Sequence, residues 1–302
     1  MTSHTSTSLA EAQKILNQAK SENWRVPSKM IMVTPDHFRV DYAINPYMTD
    51  TNGKLQVIKR DLASAQWRDL KTKFEDLGVA VSCIEGDPSM PDMVFAANQS
   101  FVFWHNQEPN VLLSRMRSPH RRMEVPHFES WYRANNYKVH TFESSDIFFE
   151  GNGDGILDPK HRLVWGGIGP RSNQQAYREM SKRFDLPIIT LPLVCADFYH
   201  LDTCFSILSP DIVAIQTRAF SQESLKIIGA RFPTVIEIDY EENLHFFAAN
   251  CHVINHKNVV LQKGASQFVK ALTRASLSVH EVETSEYLKS GGSVFCMKMM
   301  AF

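Results

Sequence analysis

The chain has 302 residues, 43% hydrophobic and 22% charged, with 32 Lys and Arg against 33 Asp and Glu. That is an ordinary globular composition, and a formal net charge of −1 offers neither the basic footprint of a nucleic-acid binder nor an acidic tail. No apolar run approaches the ~20 residues needed to span a bilayer, so neither nucleic acid nor membrane is an expected partner.

In chain order, residues 1–28 lack a basic stretch followed by an apolar one and read as an N-terminal helix or arm. Residues 61–77 place Leu62, Trp67, Leu70, Phe74 and Leu77 on roughly one helical face, with Gly78 to end the helix. Helical patterns recur at about 119–136, 172–185 (behind Ser172), 220–231 (behind Ser221) and 265–277. Strand patterns follow at 79–84, 187–192 and 234–239, and paired strands such as SFVFW then NVLLSR lie between.

Five segments, 91–104, 144–157, 195–208, 240–254 and 284–299, share one shape: an acidic turn, a small or polar cluster, then a β-rich run. Aligning those runs puts Val102, Ile156, Ile207, Val253 and Phe295 in register, at spacings of 54, 51, 46 and 42. Ala-Ala-Asn occurs twice, at 96–98 and 248–250. Units of this size bury their apolar faces only by packing around a common centre. The pattern therefore predicts an α/β fold with a single radial domain over 29–302. An open α/β sandwich with coincidental spacing is the alternative.

Function is then read from what differs among the copies. The first carries Asn98, the second Glu150 and Asp154, the third His200 and Asp202, and the fifth Cys296. His200 and Asp202 are two apart, which in a strand points both the same way. A thiolate is a nucleophile, and an imidazole exchanges protons with it or with a leaving group. Duller readings stand beside each: Cys296 as core beside Val, Phe and Met, Tyr199-His200 as a satisfied buried pair, and Glu150 with its glycines as a turn. The five cysteines are an odd number without a CxxC pair, which disfavours disulfides and a four-cysteine zinc site and favours a reducing cytoplasm. Cys83, Cys195, Cys204 and Cys251 read as packing. No histidine spacing suits a metal, and FEGNGDG is neither GxGxxG nor a P-loop, so no metal or other cofactor is expected.

Together, Pro91-Asp92-Met93-Val94-Phe95, Glu150-Gly151-Asn152-Gly153-Asp154, His200-Leu201-Asp202 and Gly291-Gly292-Ser293-Val294-Phe295-Cys296 resemble the guanidino-group-modifying, or amidinotransferase, superfamily. The resemblance covers about 30–300 and implies the pentein fold, a five-bladed α/β propeller. It implies a small guanidino substrate attacked by Cys296 to give a covalent amidino intermediate. His200 would protonate the leaving amine and then activate water, and Glu150 and Asp202 would hold the guanidinium. Arg117 and Arg171 stand where such enzymes hold a substrate carboxylate, whereas Arg115, Arg121 and Arg122 read as solvated charges. Asn45 resembles a motif of the arginine-dihydrolase branch, or else a structural turn before Pro46.

Asn98 departs from the aspartate typical of deiminases and dimethylarginine hydrolases, exchanging a charge for an amide donor. That suits two successive hydrolyses, arginine to ornithine, ammonia and carbon dioxide. A dimethylarginine hydrolase, an amidinotransferase with an amine acceptor, and a non-catalytic pentein binding protein are the other readings. A homo-oligomer stays open.

Overall fold

The computed structural model describes residues 5, 6, 8–19 and 25–302. Among them the strands form five small sheets built to one plan. In each, two strands pair antiparallel, and the second leads through a helix to a third that runs parallel to it. The first sheet holds Met299–Ala301, Lys29–Val33 and Val81–Ile84, with helix Arg60–Asp76 in the crossover. The second holds Ser100–His105, Glu108–Leu113 and Lys138–His140, with helix Val125–Ala134. Gly155–Leu157, Val164–Ile168 and Ile188–Pro192 form the third with helix Gln174–Phe184. Phe205–Ser209, Ile212–Ile215 and Thr234–Glu237 form the fourth with helix Gln222–Arg231. His252–Ile254, Asn258–Gln262 and Ser278–Val282 form the fifth with helix Ser266–Arg274. The α/β repeat is thus present, and the first sheet draws strands from both ends of the sequence.

Local chemistry explains most of these elements. Trp67, Leu70 and Phe74 form the buried stripe of helix Arg60–Asp76, which ends before Gly78 at φ +84°. Leu62 is 42% exposed, because its position falls about 100° from the middle of that stripe. The helix expected over 119–136 is a 3-10 turn, Pro119–Glu124, followed by an α-helix that starts only at Val125. Pro126 is the reason, since a ring without an N–H suits the first turn and breaks an interior. Ser172 does not cap the next helix; Asn173 does, accepting from Ala176 N at 3.2 Å. Ser221 caps as expected, on Ser224 N at 3.1 Å.

Each sheet has an apolar core against its neighbours, as where Trp165 packs on Phe205 and Phe232 at ring distances of 5.5 and 5.6 Å. Thr5–Ser6 adds a parallel fourth strand beside Ile188–Pro192. Helix Leu9–Gln18 buries Ala12 and Ile15 in the cluster that holds Ile227 and Ile228. The rest of the expected N-terminal segment, residues 1–4, 7 and 20–24, lies outside the described residues. Cys83 is exposed on its strand rather than packed, and Cys195 is half-buried.

Candidate active site

The polar clusters are short helical turns, each running directly into the first strand of a sheet. Ala96–Asn98, Gly151–Asp154 and Leu201–Thr203 are such turns, and 247–250 and 293–297 are closed the same way by hydrogen bonds. His200 and Asp202 therefore lie at the entry of a 3-10 turn, not on a strand, and their two-residue spacing does not set a common face. Close approach of these turns makes glycine necessary at 151. Its φ is +55°, and a Cβ there would stand 2.4 Å from Ser100 O and 2.7 Å from Ala97 O. Gly291 is similarly held at φ +78°, where a Cβ would meet Asn45 Oδ1 and Tyr199 OH at 2.7 Å.

A small cavity of about 20 Å3 sits among the turns, with Cys296, His200, Asn98, Asn45 and Arg171 in its wall. Cys296 is 3% exposed, and its Sγ donates to Asp202 Oδ2 at 3.3 Å. Asn250 Nδ2 donates to that sulfur at 3.1 Å, while Asn250 Oδ1 accepts from Cys296 N at 3.2 Å. Burial, then the adjacent Asp202 carboxylate, pushes the thiol well above its usual range, and Asn250 opposes this. Asp202 is itself pushed up to about 7 by burial, and its Oδ1 has no hydrogen-bond partner among the described residues.

His200 Nε2 lies 2.8 Å from Glu150 Oε2. Arg171 Nη1 donates to the same oxygen at 2.9 Å, and Arg117 N donates to Oε1 at 3.0 Å. Burial works to raise Glu150, yet the His200 bond and the Arg171 charge hold it down at about 2. Glu150 stands behind His200, with both oxygens engaged. Asp154 accepts from Ser172 Oγ at 2.5 Å and from Leu201 N at 3.1 Å, which ties the second and third turns together. Arg171 also donates to Ile44 O at 2.8 Å, and Tyr199 OH donates to Gly291 O. Asn45 Nδ2 donates to Ser290 O at 3.0 Å, while its Oδ1 accepts from Tyr47 N, the turn before Pro46 being real as well.

Two arginines also differ from expectation. Arg117 is exposed, its guanidinium 4.5 Å from the Phe148 ring centroid and outside the cavity wall. Arg121 is not a solvated charge but 4% exposed. The 3-10 turn aims it inward, where Nη2 meets Glu124 at 2.9 Å and Nη1 donates to Asn98 Oδ1 at 2.8 Å. A guanidinium buried this deeply persists because charge-assisted bonds offset its lost hydration. Asn98 Nδ2 is left without a partner among the described residues. The cavity also receives Asp92, whose Oδ1 accepts from Ser290 Oγ at 3.0 Å. Arg121-x-x-Glu124 is a helical-pair spacing and could have been read as an ion pair. Asn250 was signalled by the repeated Ala-Ala-Asn.

Turns that gather a thiol, an imidazole and carboxylates at one cavity, on five small α/β sheets, define a cysteine-centred pentein of the guanidino-modifying superfamily. Comparison with known proteins narrows this. The chain belongs to the family described as N,N dimethylarginine dimethylhydrolase, eukaryotic, which matches residues 34–302. It is 34% identical to the N(G),N(G)-dimethylarginine dimethylaminohydrolase of Mycobacterium tuberculosis, over 88% of this chain and 83% of that one. It is 32% identical to the bifunctional arginine dihydrolase/ornithine cyclodeaminase ArgZ of Synechocystis, over 90% of this chain but only 37% of that protein's length. The N-terminal domain of ArgZ, a cyanobacterial protein solved as an asparagine-to-serine variant covalently bound to a reaction intermediate, superposes with a TM-score of 0.84. The identity is 30%, over 91% of this chain and 97% of that one.

Proposed function

We propose that this chain hydrolyses the guanidino group of arginine, or of a close derivative, through a covalent intermediate on Cys296. The observation that carries the reading is the convergence on one cavity of Cys296, held by Asp202 and Asn250, and His200, held by Glu150. The covalent intermediate bound by the ArgZ domain supports the same chemistry.

The cationic substrate would bring its own charge to the sulfur, offsetting the burial that keeps the thiol protonated, and Asp202 would take the thiol proton. Cys296 would then attack the guanidinium carbon, with His200 protonating the departing ammonia. Water activated by His200 would displace sulfur and leave a ureido group. Asp92, in the cavity wall, would be the carboxylate that grips N–H edges, and Glu150 would fix His200 in orientation. Arg171 would hold the substrate carboxylate, joined by Arg117 once its side chain swings in from Phe148, with Asn45 beside Arg171 in the cavity wall. Admission of an arginine requires the cavity to widen.

We further read the reaction as double. The unpaired Asn98 Nδ2 could donate to a ureido oxygen, retaining that product for a second attack. Arginine and two waters would give ornithine, two ammonia and carbon dioxide. Ammonia released per arginine decides this: a ratio of two supports it, and a ratio of one with citrulline accumulating defeats it. Dimethylarginine is the second candidate substrate, favoured by the family match, and dimethylamine release reports it.

We read the five sheets as blades closing around this cavity, and residues 29–302 as one catalytic unit. The pairing of Met299–Ala301 with Lys29–Val33 supports that arrangement. Five unbonded cysteines favour a reducing compartment, the cytoplasm.

A further inference from the structure

A second cavity, of about 160 Å3, lies one step further along the same chain segments and shares no lining residue with the first. Asn152, two residues past Glu150, lines it, as do Cys251 and His252, just past Asn250, and Lys298, two past Cys296. The turns that present catalytic groups to one cavity thus present a different set to the other. Most of the remaining wall is apolar, including Ile156, Phe205, Ile207 and Val253. No Asp or Glu lines it.

Lys298 is the unusual member. The residue is fully buried, and its Nζ has no hydrogen-bond partner among the described residues. That nitrogen lies 3.3 Å from the Phe295 ring centroid, a cation–π contact that compensates only part of the lost hydration. Asn152, 5% exposed, likewise has an Oδ1 without a partner. The titratable groups facing Lys298 are Asp202, Cys296 and Cys251, with His252 adjoining. Burial lowers the amine to about 7 despite the carboxylate. A buried ammonium without a partner is costly, and an anion entering beside it would offset that cost.

We propose that this cavity binds a small carboxylate with a short apolar tail, the carboxylate on Lys298 and the tail on the apolar wall. A hydrocarbon carboxylate uses both halves of the lining.

The test is calorimetric titration of the intact protein with hexanoate at about pH 8, in buffers of differing ionisation enthalpy, with 1-hexanol as the uncharged counterpart. Saturable binding of one hexanoate with uptake of about one proton is expected, because the empty amine is mostly neutral there and charges on binding. Hexanol should bind about tenfold or more weakly and take up none, as a charge-assisted bond is lost. A carboxylate caught in the first cavity instead would keep its advantage over hexanol when Lys298 is replaced. Lys298→Met should erase the preference for hexanoate over hexanol. No binding, equal affinity for the alcohol, binding without proton uptake, or a preference that survives in Lys298→Met would each overturn the site. Should that variant fail to fold, proton uptake and the alcohol comparison in the parent still decide.

Discussion

At Cys296 two neighbours pull in opposite directions: the Asp202 carboxylate disfavours a thiolate, while the Asn250 amide favours one. In the proposed mechanism the sulfur would become a good nucleophile only when the cationic substrate arrives. Cys296→Ala should lower turnover of guanidino substrates by about a thousandfold or more while leaving the fold intact, as seen by initial rates beside circular dichroism. Asp202 must be ionised to accept the thiol proton, and burial puts that ionisation at about 7. Activity should accordingly fall as pH drops through about 7. In Asp202→Asn that acidic limb should vanish from the kcat/KM profile, at a lower plateau; a limb unchanged in the variant would assign it elsewhere. Asn98→Asp should move ammonia release from two per arginine toward one, measured with citrulline in the same assay. The introduced charge has a partner ready in Arg121, so the protein should still fold.

Elements place these residues, and their turns tolerate little change. Gly151 combines a left-handed backbone with carbonyls packed on its α-carbon, so Gly151→Ala should destabilise by about 3 kcal/mol or more and abolish activity with it. Urea unfolding is the measurement. Ser221 offers the contrast: it caps helix Gln222–Arg231 and takes no part in the cavity wall. Ser221→Ala should cost about 1 kcal/mol in the same assay with kcat unmoved. At this scale the sequence was readable wherever one segment decides its own shape. Gly78 and Ser221 did their expected work, and Pro126 explains why the helix near 119 starts late. Ser172 does not cap its helix because its hydroxyl is claimed by Asp154, a residue brought close only by packing.

Over the whole molecule, buried carboxylates set how stability follows pH. Burial pushes Asp202 up to about 7 and Asp154 to about 6. Folded, these groups hold protons more tightly than unfolded, so their contribution is full below the ordinary carboxylate range and is lost as pH rises through about 6 to 7. Glu150, held at about 2, runs the other way: its contribution is present above the ordinary range and lost as pH falls toward 2. The urea midpoint should therefore be higher at about pH 5.5 than at about pH 7, although activity is lower there. Equal midpoints would mean that these carboxylates do not dominate the balance. The sequence by itself determined the five-part α/β repeat, because turns, caps and alternating apolar residues act over a few neighbours. It also pointed to the chemistry of Cys296, His200, Glu150, Asp202 and Asn98, since their types and motifs are local. Tertiary structure alone decided that Glu150 stands behind His200, that Arg121 is buried while Arg117 lies on the surface, and that Lys298 faces a separate cavity. Those outcomes depend on which side chain of another turn fills the space within a few ångströms, a distance that sequence separation does not encode.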